Sequence, residues 1–203
     1  MKKTSKYLIG IDEAGRGPLA GPVSVGVFVF LKHEAKKFLS GARDSKKLSE
    51  KQREEWFGKI EEAKKAGLID YSVCLSSSKI IDTKGISFAI RFALKNGLKK
   101  VSQKNGFLPE ECLVLLDGSL KAPEEYLNQK TIIKGDDKEQ IISLASICAK
   151  VTRDRYMCRL ASKYSEYDFS IHKGYGTKAH YTALKKYGLS PEHRRTFLKK
   201  ILA

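Results

Sequence analysis

The amino-acid sequence predicts an α/β fold, a β-sheet flanked by helices and followed by a helical C-terminal extension. Two observations carry this. Apolar runs of strand length, at residues 8–11, 23–31, 69–75, 112–116 and 131–133, are interleaved with longer stretches of helical period. At 203 residues the chain suits one domain with a sizeable core and a small appendage. A third observation concerns chemistry. Three of the strands end in acids, at Asp12-Glu13, Asp117 and Asp136-Asp137, and sites in open α/β sheets gather beyond strand C-termini.

Taken in order, the first strand holds Leu8, Ile9 and Ile11 and runs into Asp12-Glu13, then the loop Ala14-Gly15-Arg16-Gly17-Pro18. Neighbours on a strand face opposite sides. The two acids are therefore expected to share a site only if the strand stops there, a bend that Gly15 and Gly17 permit. Ser49, with Gln52 three residues on, is a capping box, which predicts a helix over residues 49–65 stopped at Gly67. Residues 80–104 read as helix interrupted near Gly85, with Ile86, Ala89, Ile90 and Ala93 on one face. A long helix follows Lys134-Gly135-Asp136-Asp137. Ile142, Ala145, Ala149, Thr152 and Tyr156 form its apolar stripe, and Ser146, Lys150, Arg153 and Asp154 lie opposite. Residues 168–176 read as a loop. Thr177 opens a helix that ends at Gly188, and Ser190-Pro191 predicts a last helix.

The net charge is +16, with 39 Lys and Arg against 23 Asp and Glu. So strong a basic excess points to a polyanion, most commonly nucleic acid. Residues 146–203 hold 13 basic and 4 acidic side chains, a net of +9 by subtraction. The chemistry is expected in the acidic N-terminal part and the grip on the backbone in the C-terminal part. Cys74, Cys112, Cys148 and Cys158 form no CxxC pair and read as reduced residues of a cytoplasmic protein. No signal peptide is evident, and no segment approaches the ~18 apolar residues of a membrane span.

Acids crowded together in a basic protein repel one another unless cations bind them. Oxygen donors select hard cations such as Mg2+ or Mn2+. Two such ions about 3.5–4 Å apart can stabilise the attacking and leaving oxygens of a phosphodiester. Three unrelated acids capping loops would give the same sequence pattern. Arg16 suits a phosphate or a solvated loop. Ser45 and Lys46 suit a phosphate or a helix-entry turn. Lys150 and Arg153 could face a duplex, or Lys150 could pair with Asp154 at i, i+4 spacing. His172, His180 and His193 have no nucleophile to pair with and read as structural or phosphate-adjacent.

The motifs match a family in order along nearly the whole chain. Residues 10–22 (Gly-Ile-Asp-Glu-Ala-Gly-Arg-Gly-Pro-Leu-Ala-Gly-Pro) resemble the opening signature of ribonuclease HII, the type 2 ribonucleases H. The resemblance continues through Asp44-Ser45-Lys46-Lys47-Leu48, Leu116-Asp117-Gly118, Lys134-Gly135-Asp136, residues 145–154, residues 172–178 and Pro191-Glu192-His193-Arg194. Cys148 and Thr196 depart mildly from the usual pattern. The sister type, ribonuclease HIII, is disfavoured because few residues precede the first strand. The resemblance implies an RNase H-like mixed β-sheet, with residues 1–165 as the catalytic part and 166–203 as the helical extension packed on it. It implies a monomer that uses Mn2+ or Mg2+ to cut RNA/DNA hybrids and duplex DNA containing ribonucleotides, 5′ of the ribonucleotide. By the match, Asp12, Glu13, Asp117 and Asp136 are the catalytic, metal-binding carboxylates. Asp136 is preferred to Asp137 because it directly follows the glycine. Gly15-Arg16-Gly17 resembles the family's reader of the 2′-hydroxyl, which distinguishes RNA from DNA. Tyr175 matches its sugar-stacking tyrosine. A non-catalytic duplex binder is the competing reading, but it has no use for four carboxylates beside a polyanion.

Overall fold

The structure, a computed structural model, describes residues 5–42 and 47–199. The β-branched and aromatic run of β2 (Val23–Phe30) is buried along its whole length, because it lies between β1 (Tyr7–Ala14) and β3 (Ile69–Ser76) with helices over both sheet faces. A short helix, α1 (Glu34–Phe38), leads towards α2 (Glu50–Lys65). There Ser49 and Gln52 form the expected reciprocal capping box. Next come β3 (Ile69–Ser76) and two helices, α3 (Ser78–Lys84) and α4 (Ile86–Asn105). They are separated where the sequence indicated, at Gly85, whose φ of 83° is easy only for glycine.

The chain continues through β4 (Cys112–Asp117), β5 (Gln129–Ile132), the single turn α5 (Gly135–Lys138) and the 24-residue α6 (Gln140–Lys163). It closes with α7 (Phe169–His172) and α8 (Lys178–Tyr187). The sheet order is β3-β2-β1-β4-β5. The β3-β2-β1 pairs are antiparallel, and β1-β4 and β4-β5 are parallel. The sheet is thus mixed, as the resemblance implied.

Each sheet face carries its own core. On one, Ile9, Ile11, Val25, Val27, Val114 and Leu116 meet Ala89, Ile90, Leu94 and Leu98 of α4. On the other, Phe28, Phe30, Ile69 and Leu115 meet Ile60 of α2 and Ile141, Ala145 and Cys148 of α6. Helix α6 lies almost against the backbone of β1 and β2. A Cβ on Gly10 would overlap the Ile141 carbonyl, and one on Gly26 the Ala145 carbonyl. A third cluster, with Leu19, Met157, Tyr167, Phe169, Leu184 and Leu198, fastens residues 165–198 to the far end of α6. The four cysteines are unpaired, and three of them are buried.

Four sequence expectations need correction. Strand β1 does not stop at Asp12; it pairs with β2 through Ala14, which faces Ser24. The span 168–176 is not all loop, since it contains α7. The two faces of α6 are not an apolar stripe and a solvent side: Ile141–Ala149 is buried all round, because the helix is wedged between sheet, α2 and C-terminal segment. No α-helix starts at Ser190-Pro191. The Ser190 N–H donates to His193 Nδ1 at 2.9 Å, and the Arg194 N–H donates to the Leu19 carbonyl at 2.7 Å, which pulls the chain into a turn against residue 20.

Candidate active site

Parallel pairing sets the first two carboxylates side by side. Ile11 on β1 pairs with Leu116 on β4, so the next residues, Asp12 and Asp117, come out level at adjacent strand ends. Both belong to the α6 side, as Gly10 and Leu115 do. Asp12, Glu13 and Asp117 line one cavity of about 340 Å3. Asp136 is buried in α5 and does not line that cavity. Its neighbour Gly135 donates its N–H to Asp117 Oδ1 at 2.6 Å, which ties α5 to the strand end. Asp137 accepts from Lys47 Nζ at 2.6 Å.

Asp12 is in an unusual electrostatic position. One oxygen accepts the Glu13 N–H at 2.7 Å, and the carboxyl also bonds the Ser146 side chain. The other, Oδ2, is buried with no hydrogen-bond partner. Burial, with Glu13 and Asp117 nearby, pushes the Asp12 carboxyl well above the usual carboxylate range, and only partly offset by Ser146. Burial also raises Glu13, against the pull of Arg16, whose Nε donates to Glu13 Oε1 at 2.9 Å. An orphaned buried oxygen beside two further carboxylates is an arrangement that a divalent cation satisfies, and oxygen-only donors suit a hard one. Among the described residues, no three acids, histidines or cysteines already stand at enclosing distance. Glu13 is drawn to Arg16 and Asp117 to Gly135. These residues fit the group without being closed around it.

The glycine loop lines the same cavity. Gly15 (φ 86°), Arg16 and Gly17 line it together with Lys150 and Tyr175. A Cβ on Gly15 would overlap the Arg153 guanidinium, so only glycine lets the loop lie this close to α6.

A model of ribonuclease HII matches residues 9–200. The chain belongs to the ribonuclease HII family. A ribonuclease HII from Caldicellulosiruptor bescii is 46% identical over 198 residues, covering 98% of this chain and 89% of the relative. The ribonuclease H2 structure from Pyrococcus horikoshii is 29% identical with a TM-score of 0.69, covering 96% of each chain. The ribonuclease HII in the PCNA complex from Archaeoglobus fulgidus is 25% identical with a TM-score of 0.71, covering 93% of each. The fold is that of ribonuclease H, and membership makes the chain an endonucleolytic hydrolase. No helix among the described residues is long and apolar enough to cross a membrane.

Against that family background, the other expected substrate residues divide. Arg16 is half exposed beside Glu13. Lys150 Nζ bonds Asp154 Oδ1 at 2.8 Å and lies 5.7 Å from the centre of the Tyr175 ring. Tyr175 is 43% exposed, so its ring is available to a ligand. Ser45 and Lys46 fall outside the described residues.

Arg153 is a correction: it is fully buried and does not face a duplex. Its Nε, Nη1 and Nη2 donate to the carbonyls of Pro22, Lys173 and Ala20 at 2.9, 3.0 and 3.2 Å. The loop and the Lys173 turn close over this position, so its charge serves backbone carbonyls.

The histidines are structural, as the sequence suggested. His172 Nδ1 accepts the Gly174 N–H at 3.1 Å, so its Nε2–H donates to the Tyr167 carbonyl. Burial lowers the pKa of all three rings, that of His193 to about 4. Two residues of the cavity were not singled out as functional from the sequence, Ser146 and Arg53. Ser146 was detectable in principle, one turn before Lys150 on the same side of α6. Arg53, on α2, bonds the Leu48 carbonyl and had no local signal.

Proposed function

We propose that the chain is a metal-dependent endonuclease that cuts the RNA strand of RNA/DNA hybrids and the 5′ side of ribonucleotides embedded in duplex DNA, leaving 3′-hydroxyl and 5′-phosphate ends. The observation that carries this is one cavity lined by two unlike sets of residues. One set is the carboxylates Asp12, Glu13 and Asp117, the last tied through the Gly135 N–H to the helix that holds Asp136; the other is the glycine backbone, Arg16, Lys150 and Tyr175.

Asp12, Glu13, Asp117 and Asp136 would hold Mg2+ or Mn2+. Bound there in a pair, such ions supply Lewis-acid activation of the attacking water and neutralise charge on the scissile phosphate and leaving oxygen. The chain's own residues do the rest. Ser146 and the Glu13 N–H orient Asp12. Gly135 orients Asp117, and Arg16 restrains Glu13. Lys150 and Arg16 offer positive charge to phosphates, and the adjoining hollow of about 160 Å3, with Arg16, Arg91 and Lys121 on its walls, extends that charge along a backbone track. The glycine loop brings main-chain donors and acceptors within reach of a 2′-hydroxyl. Tyr175 stacks on the adjoining deoxyribose, where the missing 2′-hydroxyl leaves it room.

The deciding experiment is incubation of the purified chain with duplex DNA carrying one ribonucleotide, with Mg2+, with Mn2+ and with chelator. A single cut 5′ of the ribonucleotide in metal alone is expected. Binding without cleavage under every metal condition would instead favour a non-catalytic duplex binder.

A further inference from the structure

The side chains of two buried arginines hold five of the eight carbonyls of the segment from Gly15 to Pro22. Arg153 takes those of Ala20 and Pro22. Arg194, also fully buried, takes three more: Nε donates to Gly21 at 2.9 Å, Nη1 to Arg16 at 3.0 Å and Nη2 to Gly15 at 2.7 Å. All described peptides are trans. In a trans peptide the N–H points opposite to the preceding carbonyl. Pinning the Gly15 and Arg16 carbonyls inward therefore aims the N–H groups of Arg16 and Gly17 away from the guanidinium, towards the cavity side. The orientation of these donors depends on a residue 178 positions away in sequence.

The preceding residue does a parallel job. His193 Nδ1 accepts the Ser190 N–H, so its Nε2 carries the proton and donates to His180 Nε2 at 3.0 Å. His180 then carries its proton on Nδ1 and donates to the Tyr175 carbonyl at 2.9 Å. One tautomer assignment satisfies the whole chain of bonds from Ser190 to Tyr175.

We propose that His193 and Arg194 form a positioning clamp that fixes the glycine loop and Tyr175 relative to each other, and thereby sets selectivity for a nucleotide bearing a 2′-hydroxyl. Neither side chain touches substrate; both act through the backbone they hold. The clamp rests on the proposed function, since it presumes that the loop and the tyrosine read the substrate.

The test measures affinity for two duplexes of one sequence, with one ribonucleotide or all deoxy, in metal-free buffer. Arg194→Lys keeps the charge but replaces a planar fork by a point donor that cannot span three carbonyls. It is expected to lower the ribo-over-deoxy affinity ratio about fivefold or more, the scale of one lost hydrogen bond, and to change deoxy-duplex affinity less than about twofold. Its rise in melting temperature with Mn2+ should match wild type. His193→Leu should lower the same ratio, and His193→Gln, which retains a donor toward His180, should restore it in part. An unchanged ratio in folded Arg194→Lys and His193→Leu overturns the clamp, as does equal weakening for both duplexes. So does failure of Arg194→Lys and His193→Gln alike to unfold cooperatively, which assigns these residues to folding alone. A wild-type ratio of one removes the proposed function itself, whatever the variants do.

Discussion

Nε2 of His193 and Nε2 of His180 stand 3.0 Å apart in a buried contact, and because His193 Nδ1 accepts from Ser190 while His180 Nδ1 donates to Tyr175, both rings are neutral, His193 donating and His180 accepting. Burial holds the pKa of both rings down, reinforced at His193 by His180 and at His180 by His172, with His193 at about 4. The unfolded chain titrates near 6.5. As pH falls the unfolded state takes the proton first, so the stability from this contact is complete above about 6.5 and is lost as pH drops towards about 4. Asp12 and Glu13, whose pKa values are raised, act in the opposite sense. The clean measurement therefore compares wild type with His193→Gln across pH 7.5 to 4.5. The melting temperature of wild type should fall more steeply. Parallel curves would contradict the assignment.

Asp12 Oδ2 has no partner, and this makes the metal site a local cost to the fold until a cation arrives. Asp12→Asn should raise stability in chelator, on the order of 1 kcal/mol, and should abolish both cleavage and the stabilisation that Mn2+ gives wild type. Asp117→Asn and Asp136→Asn should also nearly abolish cleavage with duplex binding retained. Asp137→Asn, which weakens the exposed pair with Lys47, should be much milder. Calorimetric titration of Mn2+ into each variant reads the binding directly. Dispensable Asp136 with indispensable Asp137 would shift the ligand set by one residue.

What could be read from the sequence was local. The Ser49 capping box, the Gly85 break and the Thr177 and Gly188 caps depend on a few neighbouring residues, and each stands where expected. Asp12-Glu13 and Asp117 also sit at strand ends because strand and acid adjoin in sequence, whereas Asp136-Asp137, expected at the end of the next strand, lie in α5. The fate of Arg153 was different. On α6 it lies one turn beyond Lys150 and looks equally solvated. It is buried because residues 20–22 and 173, from distant parts of the chain, close over it. Arg53 entered the cavity unannounced for the same reason. The helix expected from Ser190 and Pro191 failed because local signals yielded to the bond of Ser190 with His193 and to the bonds of Arg194 with the N-terminal loop.

That contrast separates Lys150 and Arg153 of α6 experimentally. Arg153→Met leaves three carbonyls without a donor and should destabilise the fold on the order of 3 kcal/mol, visible in urea denaturation. Lys150→Gln should lower the melting temperature less than Arg153→Met, because the amide can still donate to the buried Asp154 carboxylate in place of the one bond lost. It should also weaken binding to ribonucleotide-bearing and all-deoxy duplexes alike and reduce the slope of log K against log salt by about 0.9, one phosphate contact. A loss confined to one duplex would deny Lys150 a phosphate role.

Tyr175 offers the sharpest test of substrate choice. Its backbone is fixed on both sides, N–H to the His172 carbonyl and carbonyl to His180, both at 2.9 Å, so its ring is presented to the cavity and not free to wander. Lys150 and Arg153 lie within 6 Å of the ring centre and back it with positive charge. The hydroxyl is not what packs on a sugar; the ring face is. Tyr175→Phe should therefore keep nearly full cleavage of duplex DNA with one ribonucleotide, while Tyr175→Ala should lose on the order of 1–3 kcal/mol of transition-state or binding energy, by analogy with aromatic–base stacks. Because a ribose 5′ of the cut crowds the ring where a deoxyribose does not, the loss should be larger on the embedded ribonucleotide than on an all-RNA strand paired with DNA. Single-turnover cleavage of both substrates by the three proteins decides the matter. Equal rates for Tyr175→Ala and wild type, with unchanged melting temperature, would take Tyr175 out of the site.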